Sequence, residues 1–383
     1  MDPASGQLTV ALKNSSNSQN VFAYITGRAI DSNYSLFLLS SDARTPVFPA
    51  SPSTTGQAIT ADISIRLGPP GNTVNAVIPR IAGGRIWFSI DKPLVFKLNP
   101  GPALVEPSVF NPSDPNIDTN FGFAEFTLNA VQLFANVSYV DFVSLPIALT
   151  LYDAYGSRQH VSGMGPGGVE MVADKLRAQT GVDNRRWAGL IVNQKGTNRP
   201  LRVLSPNSSI LLHPTWFQTY WTEYVNAVWD KYRVQQMTID TQASFGEVDG
   251  QVTTDDVLDF GSGGTFAKPT AADIFSCSTG PFATGQNAEK NTIIPRLSAA
   301  FNRSTLLLSQ EHPNGPKAVQ YYTAPTTNHY ARIIHEVNLD RHGYAFPYDD
   351  VTPTGGVPQE GAVVAGNPTL FTVAVGGNGA YVG

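Results

Sequence analysis

The chain has 383 residues and a formal net charge of −5, and only 14% of its side chains are charged, against the usual value of about 25%. The negative balance and the lack of a basic run argue against nucleic acid and anionic membrane surfaces as partners, and no apolar run approaches the ~20 residues of a membrane span. A single cysteine, Cys277, rules out an intrachain disulfide and leaves the redox compartment unmarked.

At 42% hydrophobic the chain can bury a substantial core, and its 34 glycines and 28 prolines mark many turns. Residues 7–150 read as short strands, among them "LTVALKN", "NVFAYITG", "ITADISIRL" and "GGRIWFSI", separated by "NSSNSQ", "GPPGN" and "NPSDPN". Helical periodicity is absent there, so this part is expected to be a β-sandwich or barrel. From about residue 156 the pattern changes. "GGVEMVADKLRAQTG" sets Val169, Val172, Ala173 and Leu176 on one helical stripe, with Gly181 just past the end. "HPTWFQTYWTEYVNAVWDKYR" carries Phe217, Tyr220, Trp221, Tyr224, Val225, Val228, Trp229 and Tyr232 at helical spacing, with Pro214 near the first helical position. Such a stripe is core before it is a sugar platform; Trp216 falls off it and is the more exposed ring. "QNAEKNTIIPRLSAAFN" suggests a helix interrupted by Pro295. The closing "TLFTVAVGG" is again a strand. The expected division is therefore a β domain over 1–155 and 336–383, with a mixed α/β domain inserted at 156–335.

The chemistry is sought in "AEFTLNAVQLFANVSYVDF", residues 124–142. Alternation puts Phe123, Glu125, Thr127 and Asn129 on one, mostly polar face and Ala124, Phe126 and Leu128 on the other. A hairpin folded near Leu133 would set Glu125 opposite Asp141 and Thr127 opposite Tyr139. Opposed like charges destabilise a strand pair. Two solvated surface acids, a metal site and a catalytic pair all remain open, although no histidine or third acid completes a metal site within the stretch. Two close carboxylates raise at least one proton affinity, which suits glycoside hydrolysis by one proton donor and one base or nucleophile.

Other motifs are weaker. Gly163, Gly165 and Gly168 match a dinucleotide-loop spacing, but Pro166 sits inside it and a helix-entry loop accounts for it better. Glu247, Asp249, Asp255, Asp256 and Asp259 are concentrated without calcium-loop spacing. His329 and His335 are wrongly spaced for zinc on one helical face, and Cys277 has no evident catalytic partner. Asp349 and Asp350 in "YAFPYDD" are either a turn or part of a cleft. The opening "MDPASGQLTV" carries no signal-peptide pattern and reads as a cytosolic or a trimmed start. Sequons at Asn14, Asn33, Asn136, Asn207 and Asn302 lean toward secretion.

Several of these segments, in order, resemble the thaumatin fold: the first hairpin "LTVALKNSSNSQNVFAYI", the strand "GGRIWFSI", the acid-bearing "AEFTLN" and "YVDFVSLPIAL", and the ending "YAFPYDD" with "TLFTVAVGG". Plant thaumatin-like proteins are rich in disulfides, which this chain cannot be. With the α/β insertion, and with "SPNSSILLHPTWFQTYWTEYVNAVWDKYR" as its lead-in and helix, the whole chain is similar to glycoside hydrolase family 64. That resemblance implies a mainly β, thaumatin-like domain whose open groove is walled by the α/β domain. It implies an inverting, secreted, monomeric endo-β-1,3-glucanase of laminarin or curdlan, releasing short oligosaccharides such as the pentaose, with no cofactor or metal. Glu125 would be the general acid and Asp141 the general base. Thr127, Asn129, Phe134, Asn136, Ser138 and Tyr139 would bind sugar, with Phe134 where a Trp, and Ser138 where a Thr, is expected in bacterial relatives. A non-catalytic, defence-type β-1,3-glucan-binding protein would share the acidic cleft, and a structural surface protein would have the two acids pointing apart.

Overall fold

The computed structural model describes residues 6–378. Two sheets face each other as a sandwich. The larger has eight strands and runs Ala362–Ala365, Leu133–Asn136, Asn120–Leu128, Ile81–Ile90, Val21–Ala29, Ser35–Leu39 and Pro46–Val47, with Ile65–Arg66 also paired to Val21–Ala29. The five-stranded partner runs Arg158–Val161, Ile147–Asp153, Pro368–Val375, Leu8–Asn14 and Thr73–Ile78. Leu8–Asn14 and Pro368–Val375 pair in parallel, so the first and last strands of the described chain lie side by side.

Period-two alternation sets the layers. From Asn120–Leu128, Ala124, Phe126 and Leu128 enter the main core, which also holds Leu8, Val10, Leu149 and Phe371. The opposite face was expected to be mostly polar. Instead Phe121 and Phe123 join Tyr24, Trp87, Phe96 and Phe142 in a second, aromatic core. The strand is thus covered on both faces until Glu125 and Thr127, where the second face becomes half-exposed. The acid stands where the aromatic layer ends.

The chain after the helices returns to both sheets: Ala362–Ala365 extends the larger one and Pro368–Val375 sits inside the smaller. The strand Arg158–Val161 pairs with Ile147–Asp153, so that hairpin spans the boundary expected at 155/156. The helix His329–Val337 spans the boundary expected at 335/336.

The helical stripes are buried as expected, but the helices are cut differently. Gly168–Asp183 buries Val169, Val172, Ala173 and Leu176, and runs past Gly181. The aromatic stripe is buried from Phe217 to Tyr232, yet its helix starts at Thr222. Phe217 has φ of 60° and ends any continuous helix from Pro214. Trp216, off the stripe, is half-buried where the stripe rings are buried, as expected of the more exposed ring, and it stacks on His213 at 4.2 Å. Ala288–Asn302 runs through Pro295 without a break. Of the sequons, Asn14, Asn136 and Asn302 are buried and cannot carry a glycan in the folded chain.

Two buried charge clusters join the parts. Arg202, on the strand Pro200–Leu204, donates Nη2 to the Thr119 carbonyl at 2.6 Å and lies 5.1 Å from the Phe121 ring. Burial pulls its pKa down to about 10, against the opposing charges of Asp118 and Asp114. Asp349 is fully buried and is paired with Arg303 and His335, each at 3.0 Å. It therefore belongs to the interior. Asp350 instead accepts the Tyr344 hydroxyl at 3.1 Å. Burial pulls the His335 imidazole down, but the Asp349 carboxylate outweighs it and the net value is raised.

Two outcomes follow from the packing. Gly84 has no room for a methyl group: a Cβ would come within 2.5 Å of the Phe126 ring. Gly84→Ala is expected to destabilise the fold by about 1–3 kcal/mol in urea unfolding. A raised His335 value means that its contribution is complete below the ordinary histidine value of 6.5 and is lost as pH rises through the folded value. The melting temperature should fall across that window, and His335→Gln should remove this part of the fall.

Candidate active site

The return strand decides which side chains meet. Asn129 accepts the Val131 and Gln132 amides on Oδ1, at 2.8 and 2.9 Å, and closes a tight turn. The hairpin therefore folds between Ala130 and Val131, two to three residues earlier than expected. Glu125 lies opposite Asn136, and Thr127 opposite Phe134. The expected pairings of Glu125 with Asp141 and of Thr127 with Tyr139 are not formed.

On its other side Glu125 pairs in register with Arg85. Arg85 Nη2 and Nε donate to Glu125 Oε1 at 3.0 and 3.2 Å. Nη1 of the same guanidinium donates to Glu106. The guanidinium carbon lies 4.7 Å from the Phe123 ring centre and 5.4 Å from that of Trp87. Arg85, Glu106, Glu125, Thr127, Phe134 and Asn136 line an open cavity of about 370 Å³. Asn136 is 7% exposed, and its Oδ1 has no protein partner. That oxygen is closed off from solvent, an unsatisfied polar atom within the cavity wall.

Asp141 reaches the same charges by another route. It lies in the bend before Phe142, whose ring packs 5.5 Å from Phe121 and 5.9 Å from Phe123. Its carbonyl accepts the Ser205 amide at 2.9 Å, and Phe142 pairs with Leu204. Burial raises the Asp141 carboxyl above its ordinary value, Arg85 opposes this, and the Glu125 charge adds to it. Glu125 and Asp141 thus share one electrostatic neighbourhood, although Asp141 is not among the residues lining the Glu125 cavity.

Residues 6–375 match the family model of the beta-1,3-glucanases, glycoside hydrolase family 64. The chain belongs to glycoside hydrolase family 64. It is 29% identical over 307 residues to the glucan endo-1,3-beta-glucosidases of Cellulosimicrobium cellulans and of Arthrobacter sp. strain YCWD3. Each match takes in 77% of this chain and 52% of the relative, so the chain spans about half the length of these curated relatives. The crystal structure of a laminaripentaose-producing beta-1,3-glucanase in complex with laminaritetraose superposes with a TM-score of 0.83 at 30% identity, covering 97% of this chain and 99% of that one. A family 64 beta-1,3-glucanase domain from Clostridium beijerinckii gives 0.74 at 21% identity, over 97% and 98%, a likeness of fold alone.

Within this family 64 chain, the expected sugar ligands divide. Thr127, Phe134 and Asn136 line the cavity with Glu125. Asn129 has its side-chain oxygen taken by the turn. Ser138 is half-buried, bridges Tyr344 through the backbone, and borders a void of about 10 Å³ behind Phe123. Tyr139 is 3% exposed, and its hydroxyl donates to Asn338 at 3.0 Å. Tyr139 is core, because the earlier turn carries it past the acid strand. Among the described residues no group of three metal-ligating side chains forms.

Two residues escaped the sequence reading. Arg85 had a signal: in "GGRIWFSI" alternation puts it on the Trp87 face, and an arginine inside a central strand needs a counter-charge. Glu106 had none, since it follows the three-residue strand Ala103–Val105. The turn gives a direct check. Asn129→Ala removes two hydrogen bonds and should cost about 1 kcal/mol in urea unfolding, while Asn129→Asp should restore most of it.

Proposed function

We propose that the chain is an inverting endo-β-1,3-glucanase, with Glu125 as proton donor and Asp141 as base. The observation that carries this is the pair of carboxylates, one lining an open cavity and the other half-buried close by, gathered around a single arginine. Glu125 gives a proton to the glycosidic oxygen as the bond breaks. Asp141 takes a proton from water on the opposite face of the sugar. Inversion asks for about 6.5–9.5 Å between the carboxyls, room for that water. The Thr127 hydroxyl accepts from and donates to glucose hydroxyls, Asn136 shapes the cavity wall beside it, and the Phe134 ring offers an apolar face. The solved relative in complex with laminaritetraose supports laminarin and curdlan as substrates, with short oligosaccharides as products.

The finer architecture belongs to the same reading. The β part is thaumatin-like, and the segment between the two returns to the sheets is an insertion that walls the groove on the Asp141 side. The Tyr330 hydroxyl, from that segment, donates to the Tyr139 carbonyl at 2.6 Å and sits near enough to Asp141 for its charge to act on the phenol. A polysaccharide substrate implies an enzyme working outside the cell.

The Arg85–Glu125 pair favours one alternative, a non-catalytic glucan-binding protein, because a carboxylate tied to arginine is also a plain acceptor for sugar hydroxyls. Reducing-sugar release from laminarin separates the two. Glu125→Gln and Asp141→Asn should each lower kcat by about 10²–10⁴-fold with unchanged melting temperature; turnover near the parent level would end the assignment. Proton NMR of a short digest should show the α-anomer first. Because Asp141 must be ionised and its value is raised above the ordinary 3.8, activity should be lost as pH falls through a midpoint above 3.8.

A further inference from the structure

Glu106 lines the same cavity as Glu125 but comes from a different part of the chain, just past a strand of a small three-stranded sheet. Its side chain is 33% exposed, and among the described residues its hydrogen-bond partner is Arg85, through Nη1. An ion pair this open contributes little to stability. Burial raises the Glu106 carboxyl above its ordinary value, Arg85 opposes this, and the Glu125 charge adds to it.

The geometry of Arg85 suggests what a third carboxylate does here. Guanidinium and carboxylate match as a two-pronged pair, with one nitrogen for each oxygen. Arg85 does not bind Glu125 that way. Both of its bonds to Glu125 go to Oε1, and Nη1 is turned to Glu106. Oε2 of Glu125 takes no bond from Arg85. A general acid must hold its proton on an oxygen that is free to meet the leaving group.

We propose that Glu106 is a positioning residue for the proton donor: by engaging Nη1 it tethers the guanidinium in the orientation at which Nε and Nη2 both meet Oε1, keeps Oε2 free, and draws part of the arginine's charge away from Glu125. This rests on Glu125 being the donor. The charged groups around Glu125 are Arg85 on the neighbouring strand, Glu106 beyond the small sheet and Asp141 on the bend, with the Tyr330 phenol near Asp141. Removing the Glu106 charge releases the tether, so that the Nε and Nη2 edge of Arg85 can turn to take both oxygens of Glu125, and takes away one repelling anion. Both changes favour the unprotonated donor.

The test compares Glu106→Gln and Glu106→Asp with Glu125→Gln, following kcat, KM and their pH profiles on laminarin, with melting temperatures alongside. For Glu106→Gln the expected result is a kcat lower by about tenfold at neutral pH, a KM held within about twofold, and an alkaline limb of kcat moved toward acid. Glu106→Asp, which keeps the charge, should hold the limb near the parent position, and it carries the test if the Gln variant loses its fold. An unmoved limb in Glu106→Gln with parent kcat overturns the proposal, as does a raised KM at constant kcat, which would make Glu106 a sugar ligand. Full turnover in Glu125→Gln would instead remove the donor assignment itself. An inactive Glu125→Gln beside an unmoved Glu106→Gln removes only the role of Glu106.

Discussion

The Arg85 guanidinium is held on three sides, and the site is organised around it. Below it lie the Phe123 and Trp87 rings, at 4.7 and 5.4 Å. Along its edges are the carboxylates of Glu125 and Glu106. Its charge also reaches Asp141. Without a cation at this point, three acids from three separate segments would crowd the end of an aromatic layer, each disfavoured by desolvation and by its neighbours. With it, the segments can close together and still leave an open cavity.

That arrangement depends on a sheet that is covered on both faces. The main core fixes one side of Asn120–Leu128, and the aromatic core fixes the other as far as Phe123. The next residue on that face, Glu125, is therefore held by a strand that has little freedom to shift. The bulge between Phe126 and Leu128, together with the side-chain-free Gly84 beneath Phe126, ends the regular ladder just beyond. A rigid strand followed by an opening is a suitable mount for a side chain that has to keep its place within a fraction of an ångström.

Asp141 is mounted differently. It sits in a bend, and its backbone is fixed by the strand Pro200–Leu204 and the Ser205 amide. The buried Arg202 ties that strand to the Thr119 carbonyl and the Phe121 ring. The helical segment thus contributes to the site mainly by setting where Asp141 stands, while the cavity beside Glu125 is lined from the β part alone.

The sequence by itself determined the local pieces. Alternation fixed which residues of Asn120–Leu128 share a face, and helical spacing fixed the buried stripes at Val169–Leu176 and Tyr224–Tyr232, because side-chain direction follows from backbone period. The resemblance to family 64 brought forward six sugar ligands beside Glu125, of which Thr127, Phe134 and Asn136 line its cavity and Asn129, Ser138 and Tyr139 do not. Register was beyond it. The hairpin's midpoint depends on where a turn forms, and the side chain of Asn129 placed it two to three residues before Leu133, moving Asn136 opposite Glu125 and Tyr139 into the core. The Arg85–Glu106 contact and the reach of Asp141 toward Glu125 were decided only by tertiary packing, since charges from separate segments meet through the closure of the aromatic core and no spacing along the chain encodes that closure.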